Sequence, residues 1–210
     1  MKTFICTISL QTKTQDGYRG LGKSVYEAKD NQRLAYDKEI SFPILSVING
    51  YAEEGERIKL LVLKQMGEGT HDNYGLFKEQ LENLCQEKHI TYEENVIGIS
   101  FDETAETHLK SFMDIIEHIY DEEELYACLT YGTKPIPIIQ MMALNFAYRS
   151  LKGVTIECIV YGQKVWSENK TYIYDITGLF SMDEIVHQNS RLPIRDPKQH
   201  IRNVLKLLED

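Results

Sequence analysis

The chain has 210 residues, of which 42% are hydrophobic, and a formal net charge of −9. That composition supports a packed core in one domain of generous size, and the negative balance argues against a general electrostatic hold on long nucleic acid. No apolar stretch approaches the roughly 20 residues of a transmembrane helix, and the opening MetLysThrPheIleCysThrIleSer alternates like a strand rather than a signal peptide, so the expectation is a cytoplasmic protein with no membrane partner.

In chain order, Thr3 to Ser9 is β-branched, aromatic and alternating, which predicts a first strand. Leu10 to Gly22 is polar and glycine-containing, a loop that could end in a short edge strand. Residues 26–36 are highly charged and carry no clear period. PheProIleLeuSerValIleAsnGlyTyr, 42–51, predicts a first crossover helix, and Ile58 to Lys64 a second, fully buried strand. Asp72 is the expected cap of the next helix, whose apolar face is Phe77, Leu81, Leu84 and Cys85. Val96 to Phe101 predicts a third strand. Thr104 is the expected cap of a helix with Leu109, Phe112, Met113, Ile116, Ile119 and Tyr120 on its apolar face. Leu125 to Leu129 predicts a fourth strand, and Pro135 opens an apolar helix that stops before Gly153, the expected proline-first, glycine-last asymmetry. Val154 to Tyr161 and Thr171 to Ile176 predict two further strands. Asp183 to Gln188 is helical, and Asp196 with Pro197 opens a final helix carrying Ile201, Val204, Leu205 and Leu208.

The alternation of strands and helices predicts an α/β, Rossmann-like, doubly wound and mainly parallel sheet. Residues 1–180 form the domain, and residues 181–210 a short helical C-terminal extension. In such sheets ligands bind at the carboxyl ends of the strands. Three polar, small-residue loops are expected there: Ser9 to Lys13, Gly67 to Asn73, and Thr130 to Lys134.

Familiar catalytic signatures are missing. There is no GxxxxGK(S/T) after the first strand, no GxGxxG entering a helix and no HExxH. The six histidines are scattered, and His108 and His118 on one helix are too far apart to make a compact metal pair. Four cysteines at 6, 85, 128 and 158 lack zinc spacing and read as buried thiols. Ser9 has no predictable His and Asp partners. What survives is ThrTyrGlyThrLys, 130–134. A strand that turns tightly into a helix presents backbone N–H groups and the positive end of the helix dipole, here beside a lysine. That arrangement suits a phosphate. The helix behind it, from Ile136 to Ala147, is apolar around nearly its whole circumference. It must therefore be buried on all sides, in a three-layer core or a dimer interface.

The strand running into a Ser-containing loop, the ThrTyrGlyThrLysPro turn after a late strand, and the strand ending IleValTyrGly resemble the CARF domains of type III CRISPR systems. TyrAspIleThrGlyLeuPhe, 174–180, is similar to the stretch that follows the CARF core. The resemblance covers roughly residues 1–180, and its most specific part is the GlyThrLysPro turn. It is to the short CRISPR-associated proteins grouped with the Csm and Csx accessory proteins. It implies a Rossmann-like homodimer that binds a cyclic oligoadenylate, a ring-shaped RNA messenger such as the tetra- or hexaadenylate, across the dimer axis, with no metal or cofactor. By that resemblance Gly132, Thr133 and Lys134 contact the ring phosphates with Thr130 beside them. Ser9, Leu10 and Gln11 face the ring, and Asn73 lies in the loop after the second strand.

Many members of that family carry a HEPN ribonuclease after this domain. Here Arg195 and His200 have a similar spacing, but Pro197 interrupts them and they open a helix, so the expectation is a CARF domain standing alone. Two functions follow from the resemblance. One is a metal-independent ring nuclease, with Lys134 stabilising charge on the phosphate and Ser9 positioning the 2′-hydroxyl or an oxygen. The other is a non-catalytic sensor that signals to a separate partner, for instance through the last helix. A different nucleotide on the same fold is a third possibility.

Overall fold

A computed structural model describes residues 1–10, 12–14, 17–19, 21–66 and 70–206. The strands are β1 (Lys2–Ile8), β2 (Thr12–Thr14), β3 (Gly17–Arg19), β4 (Tyr26–Ala28), β5 (Arg57–Gln65), β6 (Thr91–Ile99), β7 (Glu124–Cys128), β8 (Thr155–Val165) and β9 (Lys170–Asp175). The helices are α1 (Ile44–Tyr51), α2 (Thr70–Glu87), α3 (Ala105–Ile116), α4 (Pro135–Ser150), α5 (Thr177–Ser190) and α6 (Pro197–Lys206). Seven strands form one sheet in the order β4-β9-β8-β7-β1-β5-β6, and β2 and β3 form a separate hairpin. The fold is α/β and Rossmann-like. All sheet pairings are parallel except β8 with β9, which form an antiparallel hairpin.

Two apolar layers follow from strand alternation. Phe4, Cys6 and Ile8 of β1, with Leu60 and Val62 of β5, face α1 and α2. Ile5 of β1, with Leu61 and Leu63 of β5, faces α3 and α4. β1 and β5 are covered on both faces, so they read as near-continuous apolar runs. The expected face of α2 (Phe77, Leu81, Leu84, Cys85) is buried as predicted. Phe4 stacks on Tyr126 with ring centroids 4.6 Å apart. Cys6, Cys85, Cys128 and Cys158 are buried free thiols. Among the described residues, no helix is long and apolar enough to cross a membrane.

Several expectations need correction. β6 spans 91–99 rather than 96–101. Its first half, ThrTyrGluGluAsn, is polar because β6 is an edge strand with one neighbour, and charge on an edge deters pairing with other chains. α2 begins at Thr70, so Asp72 lies inside its first turn instead of capping it. α5 runs from Thr177 to Ser190, longer than the expected Asp183 to Gln188. Thr104 does cap α3, its hydroxyl accepting from the Thr107 N–H. Phe112 and Ile116 pack against the core as expected, and Ile119, just past the end of α3, is buried; but α3 also turns Ser111 and Ile115 inward, while Leu109, Met113 and Tyr120 are exposed. α4 is not buried all round either: Ile138 is 63% exposed, Met142 54% and Phe146 38%.

At the amino ends of the strands, Lys59 and Glu123 form a buried ion pair at 2.8 Å, with both side chains at most 3% exposed. The Lys59 ammonium also donates to the His118 carbonyl and stands over the Tyr120 ring. Removing one partner strands a charge in the core. Glu123→Ala is expected to cost about 3–5 kcal/mol in urea unfolding, whereas replacing both partners by apolar residues of similar volume is expected to cost far less. Equal losses in the two variants would refute that account.

Candidate functional site

Strand order decides where a ligand can enter. β1 lies between β5 and β7, and the chain leaves β1 toward β5 on one side and β7 toward β8 on the other. The winding reverses between β1 and β7. At such a reversal the loops that follow the two strands run to opposite faces of the sheet, and doubly wound sheets bind ligands in the crevice between them. Here those loops are Ser9 and Leu10 after β1 and the turn 130–134 after β7.

The turn is built for this place. Gly132 has φ +108°, and a Cβ added there would come within 3.1–3.2 Å of Ile136 and of the Thr7 methyl. Only glycine takes that conformation without strain, and its bare backbone lets the turn settle on the end of β1. Thr130 Oγ1 accepts the Gly162 N–H at 2.8 Å, which ties the turn to β8. The Tyr131 hydroxyl donates to the Ser41 carbonyl at 2.7 Å, and its ring meets Phe42 edge-on. Burial first, and Tyr26 beside it, push that phenol far above its ordinary range, so it stays protonated and Tyr131 anchors the turn.

The atoms free to meet a ligand are those left over. Among the described residues, nothing accepts from the backbone N–H groups of Gly132, Thr133 and Lys134. Lys134 precedes α4, is exposed, and has no ion-pair partner among the described residues. α4 has no acidic residue in its first turn. A cation at the amino end of a helix opposes the dipole and is ordinarily unfavourable by about 0.3–1 kcal/mol. The turn therefore concentrates positive potential and spends none of it internally.

Of the other predicted residues, Ser9 and Asn73 meet at the carboxyl end of β1. Ser9 is buried, and its hydroxyl donates to the Leu10 carbonyl at 3.1 Å. Asn73, from the start of α2, donates through Nδ2 to the Ser9 carbonyl at 2.9 Å, and its Oδ1 is buried without a partner. Asn73 thus joins the second loop to the first. Gln11 lies outside the described residues.

Sequence reasoning missed several groups. Thr7 points under Gly132 and donates to Gln140 Oε1 at 3.4 Å. Gln140 Nε2 and both polar side-chain atoms of Gln65, the last residue of β5, are buried and unpartnered. Gln65 shares the phase of Leu61 and Leu63, so it faces α3 and α4, as Thr7 does with Ile5. Such unsatisfied groups cost about 1–3 kcal/mol each and call for water or a polar ligand. No motif marks them, because a lone glutamine in a strand or helix carries no local signal.

A carboxylate also stands at the crevice. Glu103, in the segment between β6 and α3, takes the His108 ring Nε2 at 2.8 Å. Its carboxyl is held below the usual carboxylate range by His108 first and then by the Thr133 hydroxyl. That hydroxyl makes no well-aligned hydrogen bond, yet it lies close enough to stabilise the Glu103 charge. The thiols nearest the crevice, Cys6 and Cys128, are pushed upward chiefly by burial, so neither is a nucleophile. Neither a protein-family model nor a curated protein matches the chain.

Proposed function

We propose that this protein binds a cyclic oligoadenylate at a homodimer interface in type III CRISPR antiviral defence, and that it cleaves the ring without a metal. The observation that carries this reading is the lysine on the wrong end of a helix dipole. Lys134 and three free N–H groups gather at the one point where the sheet reverses its winding. A phosphodiester satisfies all of them at once. The buried amides of Gln65, Gln140 and Asn73 add polar contacts beneath it.

The exposed apolar stripe supports the dimer. Leu109 and Met113 on α3 run beside Ile138, Met142 and Phe146 on α4, joined by the edge-on contact of Phe112 with Phe146 at 6.0 Å. A contiguous apolar surface of that kind is a contact site. A second copy is its natural cover, because the stripe starts at Ile138, about one helical turn from Lys134. A twofold axis through it brings two anion turns together. A ring of repeating ribonucleotides has the matching symmetry.

Cleavage needs the ribose 2′-oxygen in line with the adjacent phosphorus and donors aimed at the phosphoryl oxygens. Incubating the purified protein with cyclic tetra- and hexaadenylate in EDTA is expected to yield linear products. A bound but intact ring supports the alternative, a sensor that signals to a separate effector. That alternative draws on α6, which buries no residue and so offers a free helical surface. Failure to bind either ring rejects both readings.

A further inference from the structure

Ring cleavage by a 2′-oxygen requires a group that removes the 2′-hydroxyl proton, and the turn 130–134 supplies none. Lys134 contributes an ammonium, Tyr131 is committed to the core, and Thr130 is occupied by Gly162. A group of the right chemistry stands on the first turn of α3, beside Glu103, the carboxylate that adjoins Thr133. His108 presents Nε2 to the Glu103 carboxylate at 2.8 Å, and its side chain is 30% exposed. With a carboxylate as acceptor, Nε2 carries the proton and Nδ1 keeps a lone pair. Among the described residues, Nδ1 has no hydrogen-bond partner. Glu103 is anchored by its neighbourhood: Asp102, Thr104 and Thr107 interlock through their side chains just beside it. The same carboxylate adjoins the Thr133 hydroxyl, one residue from Lys134. His118 shows the contrast. It sits past the other end of α3, and its Nδ1 is spent on the Asp114 carbonyl at 2.7 Å.

A second observation calls for a polar partner between these elements. Gln65 and Gln140, at 0% and 1% exposure, lie on the sheet face that α3 and α4 cover. Both carry unpartnered polar atoms there. Thr7 links Gln140 to the underside of Gly132, so the unsatisfied amide lies directly below the turn.

We propose that His108, oriented by Glu103, is the general base for ring cleavage. The inference rests on the ring-cleaving reading given above. Nδ1 takes the 2′-hydroxyl proton as the 2′-oxygen–phosphorus bond forms. The phosphorus–5′-oxygen bond breaks, the departing 5′-oxygen takes a proton from solvent, and His108 later returns its proton to solvent. The products are a 2′,3′-cyclic phosphate and a 5′-hydroxyl. Glu103 is a positioning residue that holds the tautomer, following the logic of a base oriented by a third group.

The test is single-turnover cleavage of cyclic tetra- and hexaadenylate in EDTA by the full chain, with ring affinity measured in parallel. His108→Ala is expected to lower the rate about 10²–10⁴-fold with ring affinity unchanged, and added imidazole is expected to restore part of it. His108→Asn is expected to lose the rate equally, and Glu103→Gln to lose less and to gain nothing from imidazole. A wild-type rate in His108→Ala overturns the inference. So does a rate that falls only in step with affinity and that imidazole does not rescue. A wild-type protein that leaves the ring intact overturns the ring-nuclease reading itself, and this inference with it.

Discussion

Lys134→Ala is expected to lower single-turnover ring cleavage about 10²–10³-fold, the usual cost of removing one donor from a site where charge develops. The lysine is exposed, touches no acidic group among the described residues and opposes the α4 dipole. Nothing in the fold depends on it. Its removal is therefore expected to leave thermal unfolding unchanged or to raise stability by about 0.3–1 kcal/mol. Loss of function with no loss of stability is the signature of a residue kept for its ligand. Measuring ring affinity beside the rate separates two roles. A fall in rate at constant affinity means that Lys134 acts on the transition state, and a parallel fall in both means uniform binding. Wild-type rate and affinity in the variant would remove the turn from the site.

Met142→Glu is expected to convert a dimer into a monomer, read by sedimentation velocity at micromolar concentration. Burial of a large apolar side chain contributes about 1.5–3 kcal/mol. Each residue of a twofold interface counts twice, so one substitution removes about 3–6 kcal/mol, roughly two to four decades in the dimer constant. Ile138→Glu should behave alike. Both side chains are more than half exposed in the single chain, so the fold should persist by circular dichroism. Ring affinity should fall together with dimerisation if two turns share one ring. A wild-type protein that stays monomeric at tens of micromolar would defeat the interface, and with it a ring held across an axis.

Much of the architecture was legible locally. β1 and β5 were marked by apolar runs, α4 by its proline and glycine, and α3 by the Thr104 cap. Each of these signals lies within a few residues of the element it defines. The turn 130–134 was legible for the same reason, because strand, glycine, lysine and proline are contiguous. Errors arose where a neighbour distant in sequence decides. The polar start of β6 is a strand because β5 pairs with it through Thr91 to Ile99. The inward face of α3 is set by the sheet beneath it, so Ile115 is buried while Leu109, of similar hydrophobicity, is not.

The site divides in the same way. The sequence by itself determined the secondary elements, the glycine that the turn requires and the lysine beside it, since these depend on backbone sterics and short-range periodicity. Only the tertiary structure decided that β1 stands between β5 and β7. Through that strand order it set the switch point between β1 and β7, the buried amides of Gln65 and Gln140 and the place of Glu103, bound to His108, near Thr133. Gln65 ends β5, Glu103 follows β6 and the turn 130–134 follows β7, so parallel pairing brings them to one edge of the sheet although they are far apart along the chain.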